Sequence, residues 1–254
     1  MTKQATKQVP HEIAGRFDAV CDYFIEAAKK EYSDPKVPFE KYAKKMRKTW
    51  KQVVQELFLN NQKTQALIKD YLVKQEKANP KIPKNARWET WETASDRMHK
   101  QIHDGSFWCQ ENAEKKTLLD LYGISWEFLD RVYNFGKKLM SEEKYQEAVG
   151  VFGLLIFLNQ AVPEYWLGCS AALYGAKNYE GALQHYAVSL LFDPENPTIF
   201  FEMARCFCKL KEADSCLASL DYCIKYGAEK KQHADLVAEA KAIKRAIETK
   251  KLVF

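Results

Sequence analysis

The second half of the chain repeats itself at a step of 34 residues, and few architectures satisfy that constraint. Small residues recur in two series, Gly136, Ser170 and Ala204, and Ala148, Ala182 and Cys216. Large apolar residues keep the same step: Val132, Trp166 and Phe200, and Phe152, Tyr186 and Leu220. Tyr145 and Tyr179 each stand three places before a small residue. A unit this short cannot close a core alone, so it must bury its apolar face against its neighbour. The small positions let paired helices approach, and the large ones fill the gap between pairs.

This is the tetratricopeptide pattern. The spacing predicts helix pairs at 128–140 with 145–158, 163–175 with 179–192, and 197–210 with 213–226. Asp193-Pro194 closes the second unit. A last helix over Ala234–Thr249, with Leu236, Val237, Ala240, Ile243 and Ile247 on one face, supplies the half-polar cap that a solenoid end needs. The expected fold class is all-α: three tandem tetratricopeptide repeats with a C-terminal capping helix, preceded by a helical N-terminal region.

The first half carries helical periodicity without the repeat. Ile13, Phe17, Val20, Cys21, Phe24 and Ala27 mark one amphipathic helix over Ile13–Glu31, ended by Ser33-Asp34-Pro35. A second pattern runs from Phe39 to about Lys77, with Asn60-Asn61 as its natural break. Asn79-Pro80-Lys81-Ile82-Pro83 is a stiff connector, and Trp88, Trp91, Met98 and Ile102 mark a further helix ending at Asp104-Gly105. The expected organisation is therefore a helical basic extension over 1–105, a leader over 106–127, and the repeats with their cap over 128–254.

Charge follows the same division. Residues 1–105 hold 21 Lys and Arg against 14 Asp and Glu, whereas the remainder holds 18 against 20. The densest stretch, Lys41–Lys51, reads as a solvated helix face or as a contact for an anionic partner. No standard nucleic-acid motif accompanies it, so nucleic acid is not the expected partner.

The seven cysteines are odd in number and irregularly spaced, with no C-x-x-C pair, which suits a reducing compartment. His99 and His103 share a helix face but lack a third ligand, so neither a metal nor any other cofactor is expected. The longest run without a polar side chain, Ala148–Leu158, is too short to cross a bilayer. The first residues lack the apolar region of a secretory signal. No P-loop, nucleophile-elbow or H-E-x-x-H motif is present, so catalysis is not expected.

Inward positions of the first helix in each repeat should line a concave trough. They are Tyr133, Lys137 and Met140 in the first repeat and Leu167, Ala171 and Tyr174 in the second. The third supplies Phe201, Arg205 and Cys208. The trough suits an extended peptide: Tyr133, Leu167, Tyr174 and Phe201 offer apolar contact, while Lys137 and Arg205 orient backbone or an acidic side chain. As exposed groove residues, these four should matter little to stability. Tyr133, Lys137 and Gly168 occupy positions where a carboxylate-clamp repeat would place other residues.

The stretch Thr117–Ala148 also resembles the class II chaperones of bacterial type III secretion. Their leader of the form L-x-x-L-x-G-I-S-x-E-x-L corresponds to Leu118, Leu121, Gly123-Ile124-Ser125 and Leu129. The K-Y-x-x-A ending corresponds to Lys144-Tyr145 and Ala148. Val151-Phe152, Tyr165-Trp166-Leu167-Gly168 and Ala204-Arg205-Cys206 continue the likeness over roughly residues 115–230. Departures include Gly168-Cys169-Ser170-Ala171-Ala172, and Lys137 and Met140 where groove aromatics are common. The resemblance implies a bacterial cytoplasmic chaperone that keeps a hydrophobic translocator or effector soluble, binds a short client segment in its groove, and dimerises through the region before the first repeat. The alternative expectation is a generic tetratricopeptide scaffold whose basic N-terminal half binds an anionic partner.

Overall fold

The computed structural model describes residues 39–41, 43–44, 62–103, 119 and 122–249. The expected Ile13–Glu31 helix, most of the basic Lys41–Lys51 stretch, the segment 104–118, and the His99 and His103 side chains lie outside the described residues. From Gln62 onward the helices are α1 (Gln62–Ala78), α2 (Trp88–His103), α3 (Trp126–Ser141), α4 (Tyr145–Leu158) and α5 (Pro163–Gly175). They continue as α6 (Tyr179–Phe192), α7 (Pro197–Leu210), α8 (Ala213–Gly227) and α9 (Ala234–Glu248), with short 3₁₀ turns at Lys84–Ala86 and Lys231–His233. No strand occurs among the described residues. The chain is all-α, and its three tetratricopeptide hairpins are α3–α4, α5–α6 and α7–α8, closed by α9. Two compact units separate at Tyr165–Trp166.

Local chemistry explains the helix ends. Ser125 caps α3 by accepting from the Phe128 amide, Asn178 caps α6 through Gly181, and Asn196 caps α7 through Thr198. Pro197 occupies the first turn of α7, where its missing donor is harmless. The Gly123-Ile124-Ser125 triplet ends the leader and starts α3. Gly123 has φ of +67°, and the Ile124 amide reaches back to the Leu119 carbonyl at 2.9 Å.

The helix period extends to the backbone of the turns. Glu143, Lys177 and Lys211, each 34 residues apart, follow the first helix of each repeat in left-handed conformation, with φ of 57°, 62° and 65°. The next amide closes back over five residues each time: Lys144 to Leu139, Asn178 to Leu173, and Glu212 to Phe207. That backbone state is unfavourable for a residue bearing a β-carbon. Lys177→Gly is therefore expected to stabilise the chain by about 0.5–1 kcal/mol, after the larger unfolded-state entropy of glycine is subtracted. The urea midpoint should rise; an unchanged or lower midpoint would show that the lysine turn carries no such strain.

In the unit within residues 9–165, α3 and α4 form the first repeat. The 34-residue rule of small against large is visible here as contact: a β-carbon on Gly136 would lie 2.9 Å from Phe152 Cζ. Val151 to Leu158 of α4 are all buried, so this helix is apolar around its whole circumference. The chain before the repeats helps to cover it. α1 packs on both α3 and α4, and a β-carbon on Gly150 would run into the Thr64 side chain. Tyr71 stacks on Phe135 at 4.3 Å, and Trp91 on Phe128 at 5.7 Å.

One buried charge ties these pieces together. Arg131 of α3 is 9% exposed. Its guanidinium donates to Gln75 Oε1 at 3.1 Å, Glu76 Oε1 at 3.2 Å, the Ala86 carbonyl at 2.5 Å and the Leu72 carbonyl at 2.9 Å. Glu76 Oε1 also accepts the Trp88 amide at the start of α2, at 2.9 Å. The Asn79–Pro83 connector is a fixed turn: Arg87 donates to the carbonyls of Ile82 and Pro80, and Ile82 is buried. Residues 62–103 thus cap the first repeat.

In the unit within residues 166–254, Phe201, Ala204, Cys216, Leu220, Cys223, Ala240 and Ile247 form one apolar cluster. α9 packs on α8 and α7, as a closing helix should. Phe200, Tyr222 and Tyr226 stack on one another at 5.1 to 6.1 Å between ring centroids.

Candidate functional site

The expected peptide-contacting residues fall in both units. In the first, Tyr133 is half-buried and well engaged. Its ring meets Phe152 edge-on at 5.8 Å and Tyr165 at 5.7 Å, and the Lys137 ammonium sits 5.0 Å from its centroid. Burial, with help from the Glu164 carboxylate, pushes the Tyr133 phenol up. Lys137 is exposed and Met140 half-buried. Tyr133 therefore packs on Phe152 of its own repeat and on Tyr165 in the first turn of α5 while keeping one edge open.

In the second unit, Leu167, Ala171 and Tyr174 are half-buried on α5, Arg205 is exposed on α7, and Phe201 is 5% exposed. Here a pocket of about 510 Å³ opens. Tyr174, Phe201, Ala204, Arg205, Cys208 and Lys209 line it together with Leu220 of α8 and Ala242, Ile243 and Ala246 of α9. The Arg205 guanidinium lies 4.7 Å from the Tyr174 ring centroid. Its Nη1 donates to both Glu202 oxygens at 3.0 and 2.9 Å. This ion pair and the aromatic face hold the Arg205 cation in one orientation at a mainly apolar opening that Lys209 also lines.

Four of the nine expected trough residues, Tyr174, Phe201, Arg205 and Cys208, thus share one pocket. The burial of Phe201 corrects the expectation that it is a free groove anchor: its ring belongs to the core cluster and forms the pocket wall at once. Sequence reasoning missed the opposite wall. Ala242 and Ala246, four apart on α9 with Ile243 between them, present a small-residue face, and that spacing was the available signal.

The register repeats through the chain: Tyr133, Leu167 and Phe201, then Lys137, Ala171 and Arg205, then Met140, Tyr174 and Cys208, are all 34 apart. Among the described residues no group of His, Cys, Asp and Glu could hold a metal ion, and no helix is long and apolar enough to cross a membrane.

These hairpins and their register define a tetratricopeptide-repeat protein, and a tetratricopeptide-repeat family model matches residues 129–160. The chain is similar to the Low calcium response locus protein H of Yersinia pestis, with 24% identity over 135 residues, 53% of this chain and 80% of that protein. It also superposes on a T3SS complex from Aeromonas hydrophila with a TM-score of 0.50 and 23% identity, over 61% of this chain and 97% of that one. That likeness concerns the fold. PcrH in complex with the chaperone binding region of PopD gives 28% identity over 51% of this chain and 97% of that one, with a TM-score of 0.48.

Proposed function

We propose that this chain is a bacterial cytoplasmic chaperone of type III secretion. It holds an extended segment of a hydrophobic translocator or effector client and keeps that client soluble until export. The pocket beside Tyr174 and Phe201 carries the reading: its walls are apolar, one cation is fixed at its opening, and it occupies the register positions that the family resemblance assigns to client contact. The curated relative, aligned over four-fifths of its own length, supports the same class. By register, Leu167 and Ala171 belong with the client-contacting residues of the unit within residues 166–254, and Tyr133, Lys137 and Met140 are the corresponding residues of the unit within residues 9–165. No catalytic step belongs to this function. The region before residue 128 is the place for self-association, and the repeats over 128–254 are the client-binding part.

The test uses overlapping peptides tiled along type III translocator sequences, titrated calorimetrically into the full protein. One segment with apolar anchors should bind. Tyr174→Ala removes a half-exposed aromatic, so it should weaken that binding by about 2 kcal/mol, near thirtyfold, with little change in melting temperature. If no tiled segment binds, or the variant binds as the wild type does, this assignment of the pocket fails.

A further inference from the structure

Cys208 and Cys216 face each other across the turn of the third repeat. Their Sγ atoms lie 2.6 Å apart, about half an ångström beyond the length of a disulfide bond. The hairpin itself brings them together. Cys208 is in the last turn of α7 and Cys216 in the first turn of α8. The intervening turn is held by the left-handed Lys211, whose amide donates to the Cys208 carbonyl at 3.3 Å. The same register positions hold Met140 with Ala148, and Tyr174 with Ala182, in the earlier repeats. Cys216, fully buried, is explained by the need for a small residue there, as Ala148 and Ala182 show. Cys208 has no such explanation, because its position accepts Met or Tyr. It is half-buried and reaches the pocket, whereas its partner is sealed.

We infer that Cys208 and Cys216 are a reversible dithiol–disulfide pair, oxidised by a hydroperoxide that enters through the pocket. The Cys208 thiolate attacks the peroxide oxygen; the S–O bond forms and the O–O bond breaks. The leaving oxygen takes a proton and departs as an alcohol or, from hydrogen peroxide, as water. The sulfur loses two electrons and the peroxide gains them. Cys216 Sγ then attacks the sulfenic sulfur, the S–S bond forms, and the hydroxyl leaves with the Cys216 proton as water. A small dithiol reverses the change by exchange.

The division of labour between the two sulfurs agrees with their surroundings. The hydrogen bond from Cys216 holds the Cys208 thiol below the usual range, aided by Lys209 and opposed by burial, while the same bond and burial push Cys216 up. Burial pushes Cys169 and Cys206 up to about 12 and Cys223 up to about 11, so these are poor competitors for the oxidant. A disulfide of this kind in a reducing compartment is transient and responsive, not a staple.

The experiment treats the full chain with hydrogen peroxide, then digests it without reductant for mass spectrometry. The expected result is loss of two thiols, a linked peptide pair containing Cys208 and Cys216, and recovery of both thiols with dithiothreitol. Cys216→Ala keeps the packing that the first two repeats use but removes the hydrogen bond that lowers the Cys208 thiol, so Cys208 should oxidise more slowly and, once oxidised, stop at a dimedone-reactive sulfenic acid. The inference is overturned if another pair links first, or if Cys208 passes to sulfinic acid without linking in the wild type.

Discussion

Arg131→Met should destabilise the unit within residues 9–165 by about 3 kcal/mol, because removing one partner of a buried ion pair leaves the other charge without compensation. The methionine fills much of the arginine volume, so the loss would be electrostatic and not a cavity. Glu76 would keep only the Trp88 amide, and the Ala86 carbonyl would lose its donor. Glu76 retains some exposure, 16% of its side chain, which places the effect at the lower end of the range for such pairs. Because Arg131 reaches Leu72, Gln75, Glu76 and Ala86, the damage should concentrate where residues 62–103 meet the first repeat. Amide hydrogen exchange should show α1 and α2 opening before α3, and proteolysis should find the Asn79–Pro83 turn. A variant within 1 kcal/mol of wild type, with unchanged exchange, would mean that apolar packing alone holds this region.

The second large effect concerns the wall of the pocket. Phe201→Ala is expected to cost about 3–5 kcal/mol, the usual range for emptying a buried phenylalanine site. The ring is 5% exposed and packs with Ala204, Cys216 and Leu220. Client binding should fall with it, through loss of the wall as well as loss of fold. Phe201→Leu separates the two, since Leu167 occupies the same register one repeat earlier. The leucine variant should recover most of the stability while binding more weakly than the wild type. If Phe201→Ala unfolds at the wild-type urea concentration, the ring is not part of the core.

Most of the fold was legible because tetratricopeptide information is local. Small and large residues alternating at a fixed period, asparagine or serine at helix starts, and proline in a first turn all act within one hairpin. Four helices, α4 to α7, have the ends that the spacing predicts, and α3, α8 and α9 differ by one or two residues. The break expected at Asn60-Asn61 lies outside the described residues. Where a boundary is set by a cap and a period, the sequence carries it.

Burial at the site was legible only in part, because it depends on what lies over a helix face. Phe201 and Tyr174 read alike as inward aromatics, yet Phe201 is sealed into a cluster with α8 and α9 while Tyr174 stays half-exposed. Lys177 and Lys211 gave no sign of their left-handed turns, since lysine does not favour that backbone state.

The sequence alone determined the repeat helices, their pairing and the register of the positions proposed to contact a peptide, since each follows from residues a few turns apart. Tertiary structure decided three other things: which register positions are wall and which are opening, that Arg131 is buried, and that Cys208 meets Cys216. The reason is the same in each case. A side chain's environment is supplied by elements it meets only on folding, some more than fifty residues away, as Glu76 is from Arg131.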